Sequence, residues 1–200
     1  MPRRFLVVII TGFLIGALAG AAALVLNTMP QGQGVATTGK ALVGGPFTLV
    51  DTSGKTVTDK DFRGRYMLVF FGFTHCPDVC PTALQVMSAA LNKLGPKADR
   101  FVPIFISVDP ERDKPAELSS YVESFYPRLI GLTGSPEEIN AVVKAYRVYV
   151  RKADDPKSTA GYTFDHSSLI YVMGPDGSYR THFSHTTDAD AFAQRLAALL

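Results

Sequence analysis

The run from Tyr66 to Thr82 constrains this 200-residue chain more than any other stretch. Tyr66-Met67-Leu68-Val69-Phe70-Phe71-Gly72-Phe73 is almost continuously apolar, which predicts a central strand buried on both faces. It leads directly into Thr74-His75-Cys76-Pro77-Asp78-Val79-Cys80-Pro81-Thr82, which holds both cysteines of the chain. Two cysteines can serve as a structural staple, a redox couple or a soft metal clamp. Their spacing alone suggests one face of a helix, but each is followed by proline. A residue before proline is pushed out of the helical region, so Cys76 and Cys80 are both expected to be extended or turn-like. Pro81 is then the first helical residue and Cys80 its N-cap. In that position the free N–H groups and the helix dipole stabilise a thiolate, which favours metal binding and attack on disulfides alike. A purely structural disulfide gains little here, because closing a three-residue loop removes little chain entropy.

The elements around this stretch alternate. Phe47-Thr48-Leu49-Val50 and Lys55-Thr56-Val57-Thr58 flank the turn Asp51-Thr52-Ser53-Gly54 and read as a hairpin. Ala83 to Leu94 has helical spacing and stops at Gly95-Pro96. Phe101 to Val108 is a second buried strand, Pro115 opens a helix through about Phe125, and Ser135-Pro136-Glu137-Glu138 opens another that runs to about Tyr146. Leu169 to Met173 and Tyr179 to Phe183 flank Gly174-Pro175-Asp176-Gly177 as a second hairpin, and Ala189 to Leu200 closes the chain as a helix. Strands alternating with helices and ending on an antiparallel pair predict an α/β fold with a mixed sheet covered on both faces.

The N-terminal end is of a different kind. Phe5 to Leu26 is 22 residues without a charged side chain, preceded by Arg3-Arg4. At about 1.5 Å per residue it is long enough to cross a hydrocarbon core of roughly 30 Å, and it predicts a transmembrane anchor. The arginines before it leave residues 1–4 as a cytoplasmic tip and export the body. A cleavable signal peptide is the competing reading, carried by Ala19-Gly20-Ala21-Ala22-Ala23, although its apolar region usually runs only about 7 to 15 residues. Residues 27–41, rich in Gly, Gln and Thr, read as a flexible linker, with the globular domain at 42–200. Either reading places that domain outside the cytoplasm, where disulfides form and functional thiols must be re-reduced. The net charge of +2 resides in Arg3 and Arg4. Beyond Leu26 acids and bases balance without a polybasic run, which argues against nucleic-acid binding.

A buried strand delivering cysteines to the start of a helix, followed by β-α and a terminal β-β-α, resembles the thioredoxin fold. Phe73-Thr74-His75-Cys76-Pro77-Asp78-Val79-Cys80-Pro81-Thr82, Ser107-Val108-Asp109-Pro110-Glu111-Arg112-Asp113 and Asp165-His166-Ser167, with Gly174-Pro175-Asp176-Gly177 beyond, resemble the Sco/SenC family of membrane-anchored copper-binding proteins. The resemblance implies a metallochaperone that binds copper through Cys76, Cys80 and His166 and assists assembly of the CuA centre of cytochrome c oxidase subunit II. It implies as partners that subunit, a copper donor and a thiol reductant. It places the domain on the periplasmic side of a bacterial inner membrane or in the equivalent intermembrane space. The alternative is an exported thiol-disulfide oxidoreductase that reduces the CuA-site cysteines, with Cys76 and Cys80 as the redox-active thiols. A thiol peroxidase, suggested by Phe73-Thr74-His75-Cys76, fits the second cysteine and His166 less well.

Two thiolates and an imidazole select Cu(I), and hold Cu(II) when a further ligand or solvent approaches. Zinc accepts the same donors, but a closed structural site wants a fourth protein ligand and no candidate stands out. Binding needs deprotonated, reduced cysteines, so metal loading and redox state exclude one another. Asp165 is expected to orient His166. Asp78 is expected to be a solvated loop acid, and Asp109 to Asp113 to cap the next helix. His75 is expected to point away from Cys76, and His182 and His185 to lie apart from the site. The Arg147 to Lys157 and Tyr162 to Asp165 stretches are expected to form a mobile loop that brings His166 to the cysteines.

Overall fold

The computed structural model describes residues 42–158 and 160–200. The anchor expected over 5–26, the tip before it and the linker after it lie outside these residues. Among the described residues, no helix is long and apolar enough to cross a membrane.

The chain runs β1 (Thr48–Asp51), β2 (Thr56–Thr58), β3 (Tyr66–Gly72), α1 (Val79–Leu94), β4 (Phe101–Ser107), α2 (Pro115–Val122), β5 (Ile130–Thr133), α3 (Pro136–Ala145), β6 (Val150–Asp154), β7 (Tyr162–His166), β8 (Leu169–Met173), β9 (Tyr179–Ser184) and α4 (Ala189–Ala197). Seven strands form one mixed sheet in the order β2-β1-β5-β4-β3-β8-β9, and β6 and β7 form a separate antiparallel pair. β3 lies parallel to β4 and antiparallel to β8. Every residue of β4, and of β3 beyond Tyr66, is buried. Alternate residues of a strand point to opposite faces, so both faces are covered, as the unbroken apolar runs predict.

Local chemistry sets the element ends. In the first hairpin the Asp51 carboxylate accepts the N–H groups of Ser53 at 2.9 Å and Lys55 at 3.0 Å, which closes the turn. α1 buries Cys80, Ala83, Leu84, Met87, Ala90, Leu91 and Leu94, a stripe at helical spacing, and stops at Gly95 with φ of 55°. α3 starts in a capping box: Ser135 Oγ accepts the Glu138 N–H at 3.2 Å while the Glu138 carboxylate accepts the Ser135 N–H at 2.8 Å. The short extended stretch after α2 is a full member of the sheet as β5. Its residue Gly131 lies where a Cβ would come within 2.8 Å of Leu118 Cγ, so glycine lets α2 close onto the strand.

The excursion before His166 departs most from expectation. It is an antiparallel hairpin in which Val150 pairs with His166 and Asp154 with Tyr162. The polar, charged sequence Arg151-Lys152-Ala153-Asp154 hides the strand, because a two-stranded ribbon standing clear of the main sheet has little apolar surface to bury.

At the other edge, Phe183 of β9 and Phe192 of α4 are both buried with ring centroids 3.9 Å apart. The Phe192→Ala variant is expected to lose about 3–5 kcal/mol. Urea unfolding checks this, with an unchanged m-value. A loss below about 1 kcal/mol would mean that this pair does not dock α4.

Candidate metal centre

β3 and β4 end together, with the Val108 N–H donating to the Gly72 carbonyl at 2.8 Å. The chain then turns, with the Cys76 N–H on the Phe73 carbonyl at 3.2 Å, and α1 begins at Val79 with Asp78 as its N-cap. Cys80 is therefore the second helical residue, not the N-cap, and Pro81 is the third. The first-turn N–H groups of a helix have no intrahelical partner, so Pro81 gives up no bond there. The Cys80 N–H donates instead to Cys76 Sγ at 3.4 Å, a local bond that offsets the bias against helical geometry before proline. Asp78 lies at the helix start, where its charge favours the dipole, and Thr82 Oγ1 reaches its carboxylate at 3.4 Å.

His166 is the last residue of β7 and precedes β8 by three positions. Since β8 runs antiparallel to β3, with Ile170 opposite Phe70, the start of β8 lies beside the end of β3. His166 thereby reaches Cys80, which stands 86 residues away from it in sequence. Its Nδ1–H donates to the Ser167 carbonyl at 3.1 Å, which leaves Nε2 as the nitrogen with a free lone pair, 3.5 Å from Cys80 Sγ. Phe70 and Phe73 stand edge-on to the imidazole with centroids 6.0 and 5.9 Å away. The donor atoms of Cys76, Cys80 and His166 all lie within 4.8 Å of one another. Cys80 is buried and Cys76 half-buried, and both are free thiols.

The two sulfurs share one proton. Cys80 S–H donates to Cys76, which is the main cause that lowers the Cys76 thiol from an ordinary 9.0 to about 4. The N–H groups of Asp78 and Cys80 add to this, against the desolvation that opposes it. The same hydrogen bond, together with burial and the neighbouring thiolate charge, pushes the Cys80 thiol up. The result is a thiolate, a thiol and an imidazole nitrogen converging on one point, a donor set that fits copper.

The acids take other roles than expected. Asp165 does not orient His166: its carboxylate pairs with Arg151 at 2.6 Å, and Ser167 accepts the imidazole proton instead. Asp109 to Asp113 do not cap α2, whose N-cap is Lys114. Asp109 is buried, takes the Arg112 guanidinium and accepts the Tyr162 hydroxyl at 3.1 Å. Arg112 stacks on the Tyr162 ring at 4.1 Å and Lys152 pairs with Glu111 at 2.9 Å, so the hairpin carrying His166 is tied to this loop. Asp113 is fully buried and accepts the Thr74 N–H at 3.0 Å, the Thr74 hydroxyl at 2.6 Å and the Ser107 hydroxyl at 2.5 Å. It fastens the cysteine loop to the end of β4. Sequence reasoning missed this clamp. The available signal was Ser107 closing an otherwise apolar strand, since a buried hydroxyl needs a partner. His75, His182 and His185 stand outside the cluster, as expected.

A family model described as SCO1/SenC matches residues 35–200. The Arabidopsis thaliana protein SCO1 homolog 1, mitochondrial, is 46% identical over 154 residues, which are 76% of this chain and 46% of that protein. The chain thus spans about half the length of that relative. The structure of Bradyrhizobium japonicum ScoI with copper bound is 47% identical, with a TM-score of 0.73 over 79% of this chain and 99% of that one. BsSco, a member of the Sco family of cytochrome c oxidase assembly proteins in which a disulfide switch was identified, is 28% identical, with a TM-score of 0.60 over 78% and 92% of the two chains.

Two predictions follow from the shared proton and its packing. Iodoacetamide should modify Cys76 of the reduced, metal-free chain at a nearly constant rate from neutral pH down to pH 5, falling only as pH approaches about 4. An ordinary thiol slows tenfold per pH unit across that range. The folded chain releases this proton near 4 and the unfolded chain near 9.0, so the reduced fold gains stability as pH rises between them and loses it as pH falls through about 4. A rate that follows ordinary thiol titration would refute the shared-proton arrangement. Separately, a Cβ on Gly72 would meet Cys80 Sγ at 2.7 Å and Phe105 Cε2 at 2.8 Å. Gly72→Ala is expected to cost about 1–3 kcal/mol in chemical denaturation and to raise the Cys76 pKa by displacing Cys80. Unchanged Cys76 reactivity in that variant would show that Cys80 is not seated against Gly72.

Proposed function

The chain belongs to the SCO1/SenC family, and from that premise we propose that it is a membrane-anchored copper chaperone whose cargo is held by Cys76, Cys80 and His166. The observation that carries this reading is the convergence of two sulfurs and one lone-pair nitrogen within 4.8 Å. A relative of 47% identity was solved with copper bound, which supports copper over other soft-ligand metals. Family membership supports a place in cytochrome c oxidase assembly, and subunit II, whose CuA centre needs copper, is the acceptor we propose. The charge-free stretch over 5–26 supports an anchor, with the domain at 42–200 held outside the cytoplasm by a linker at 27–41.

The low Cys76 pKa and the disulfide switch described for BsSco favour a second reading, a thiol-disulfide reductase. In it, the Cys76 thiolate attacks one sulfur of a partner disulfide and expels the other as a thiolate. Cys80 gives up its proton and attacks Cys76 Sγ, which releases the second partner sulfur and leaves a Cys76–Cys80 disulfide. Two electrons have moved to the partner, and an external thiol reductant must restore the pair.

Anaerobic titration of the reduced chain with Cu(I) should saturate at one copper per chain, and Cys76→Ser, Cys80→Ser and His166→Ala should each lose it. Stoichiometric copper with unaltered affinity in His166→Ala would remove that residue from the ligand set. Mixing the loaded chain with a subunit II fragment then separates the two readings. A chaperone passes copper to the reduced fragment while Cys76 and Cys80 stay reduced. A reductase reduces the oxidised fragment and ends as a disulfide, with or without copper.

A further inference from the structure

We propose that His75 is a transient entry and exit ligand for copper, held ready for that role by the buried carboxylate of Asp113 acting through Thr74. The inference extends the copper reading above to a fourth residue. Asp113 takes three donors, and the Ser107 hydroxyl among them is itself occupied as acceptor of the Asp109 N–H at 3.0 Å, so its proton goes to Asp113. As a carboxylate Asp113 only accepts, so the single proton of the Thr74 hydroxyl, 2.6 Å away, is also committed to it. Thr74 Oγ1 lies 3.0 Å from His75 Nδ1 and has only a lone pair left to offer, so Nδ1 carries the proton and donates. The nearest carboxylate oxygen, 3.9 Å from Nδ1, favours a proton there too. Nε2 is then a bare nitrogen, and no group among the described residues bonds to it.

A carboxylate that fixes one imidazole nitrogen as donor, and so frees the other, is the arrangement that prepares histidines for metals. Here it prepares one that is not part of the three-donor cluster. His75 adjoins Cys76 in the chain and has 48% of its side chain in solvent, whereas Cys80 is fully buried. Copper arriving on a carrier is best exchanged one ligand at a time, and an exposed imidazole on the residue next to the half-buried Cys76 in the chain provides the first protein donor. An entry ligand lowers the barrier in both directions, so it sets the rate of loading and release more than the affinity.

The full-length chain, reduced and metal-free in mildly alkaline buffer, should show His75 in the Nδ1–H form by nitrogen-15 NMR. Thr74→Val, which keeps the backbone bond to Asp113, should shift His75 toward the Nε2–H form, and Thr74→Ser should restore it. Asp113→Asn should reverse the Thr74 hydroxyl and give the same shift. If that variant does not fold, the Thr74 pair decides. With Cu(I) presented as its bathocuproine disulfonate complex, His75→Ala should load and release copper about tenfold more slowly with little change in affinity, and Thr74→Val should slow both in the same direction. A wild-type His75 in the Nε2–H form, or unchanged exchange rates in His75→Ala, overturns this inference and leaves the three-ligand copper site standing. A wild-type chain that takes no copper overturns both.

Discussion

The antiparallel pairing of β8 with β3 is the constraint on which the rest depends. β3 carries the chain to the cysteine loop, and any residue just ahead of an antiparallel neighbour must arrive at the same end of the sheet. His166 occupies that position, so the fold brings the third donor to the other two without a long side chain or a strained loop. A one-residue slip in this register would exchange the two faces of β8 and misfit side chains that are packed on both sides. Ile170, Val172 and Met173 are all fully buried, which holds the register and with it the distance between His166 and the sulfurs.

On that frame the site is polar where it meets solvent and apolar beneath. Phe70 and Phe73 close against His166, and Phe164 packs on Phe73 with centroids 5.5 Å apart. Burial of this kind penalises charge, and the pair of cysteines answers by ionising once rather than twice. One negative charge, spread by a hydrogen bond between sulfurs, is tolerated where two are not. A monovalent soft cation that displaces the shared proton changes the net charge of the pocket little, whereas a disulfide removes the charge and the donors together. On the proposed readings, metal loading and thiol chemistry draw on the same two sulfurs and exclude one another.

Much of this was legible in the sequence because it rests on strong periodic signals. The buried strands β3 and β4, the capping box of α3, the turn at Asp51 and the cysteine loop running into a helix all follow from local residue chemistry. What the sequence hid was cooperative. The preference of a residue before proline placed Cys80 outside the helix, but a hydrogen bond to Cys76 Sγ, visible only once the loop is closed, holds it within the first turn. Asp165 adjoins His166 and looked like its orienting group, yet in an extended strand successive side chains diverge, and Arg151 across the hairpin takes the carboxylate. Asp113 looked like a helix cap because it precedes Pro115, while two of its three donors come from Thr74, far away in sequence, and the third from Ser107 at the end of β4. Long-range partners of polar groups are the part of a fold that single-sequence periodicity does not carry.

The two cysteines are chemically unequal, and the inequality gives the site a direction. Cys80 is fully buried under Gly72 and holds the proton, while Cys76 is half-buried and holds the charge. A disulfide or an incoming ligand reaches Cys76 first, because Cys76 has both the access and the nucleophile. Cys80 can act only after it gives up its proton, so under the proposed readings it is the resolving sulfur in thiol chemistry and the last sulfur to leave in metal transfer. Reversing the order would require opening the packing of Phe70 and Phe105 around Gly72. The core of the fold, rather than the loop, therefore fixes which sulfur meets a partner first.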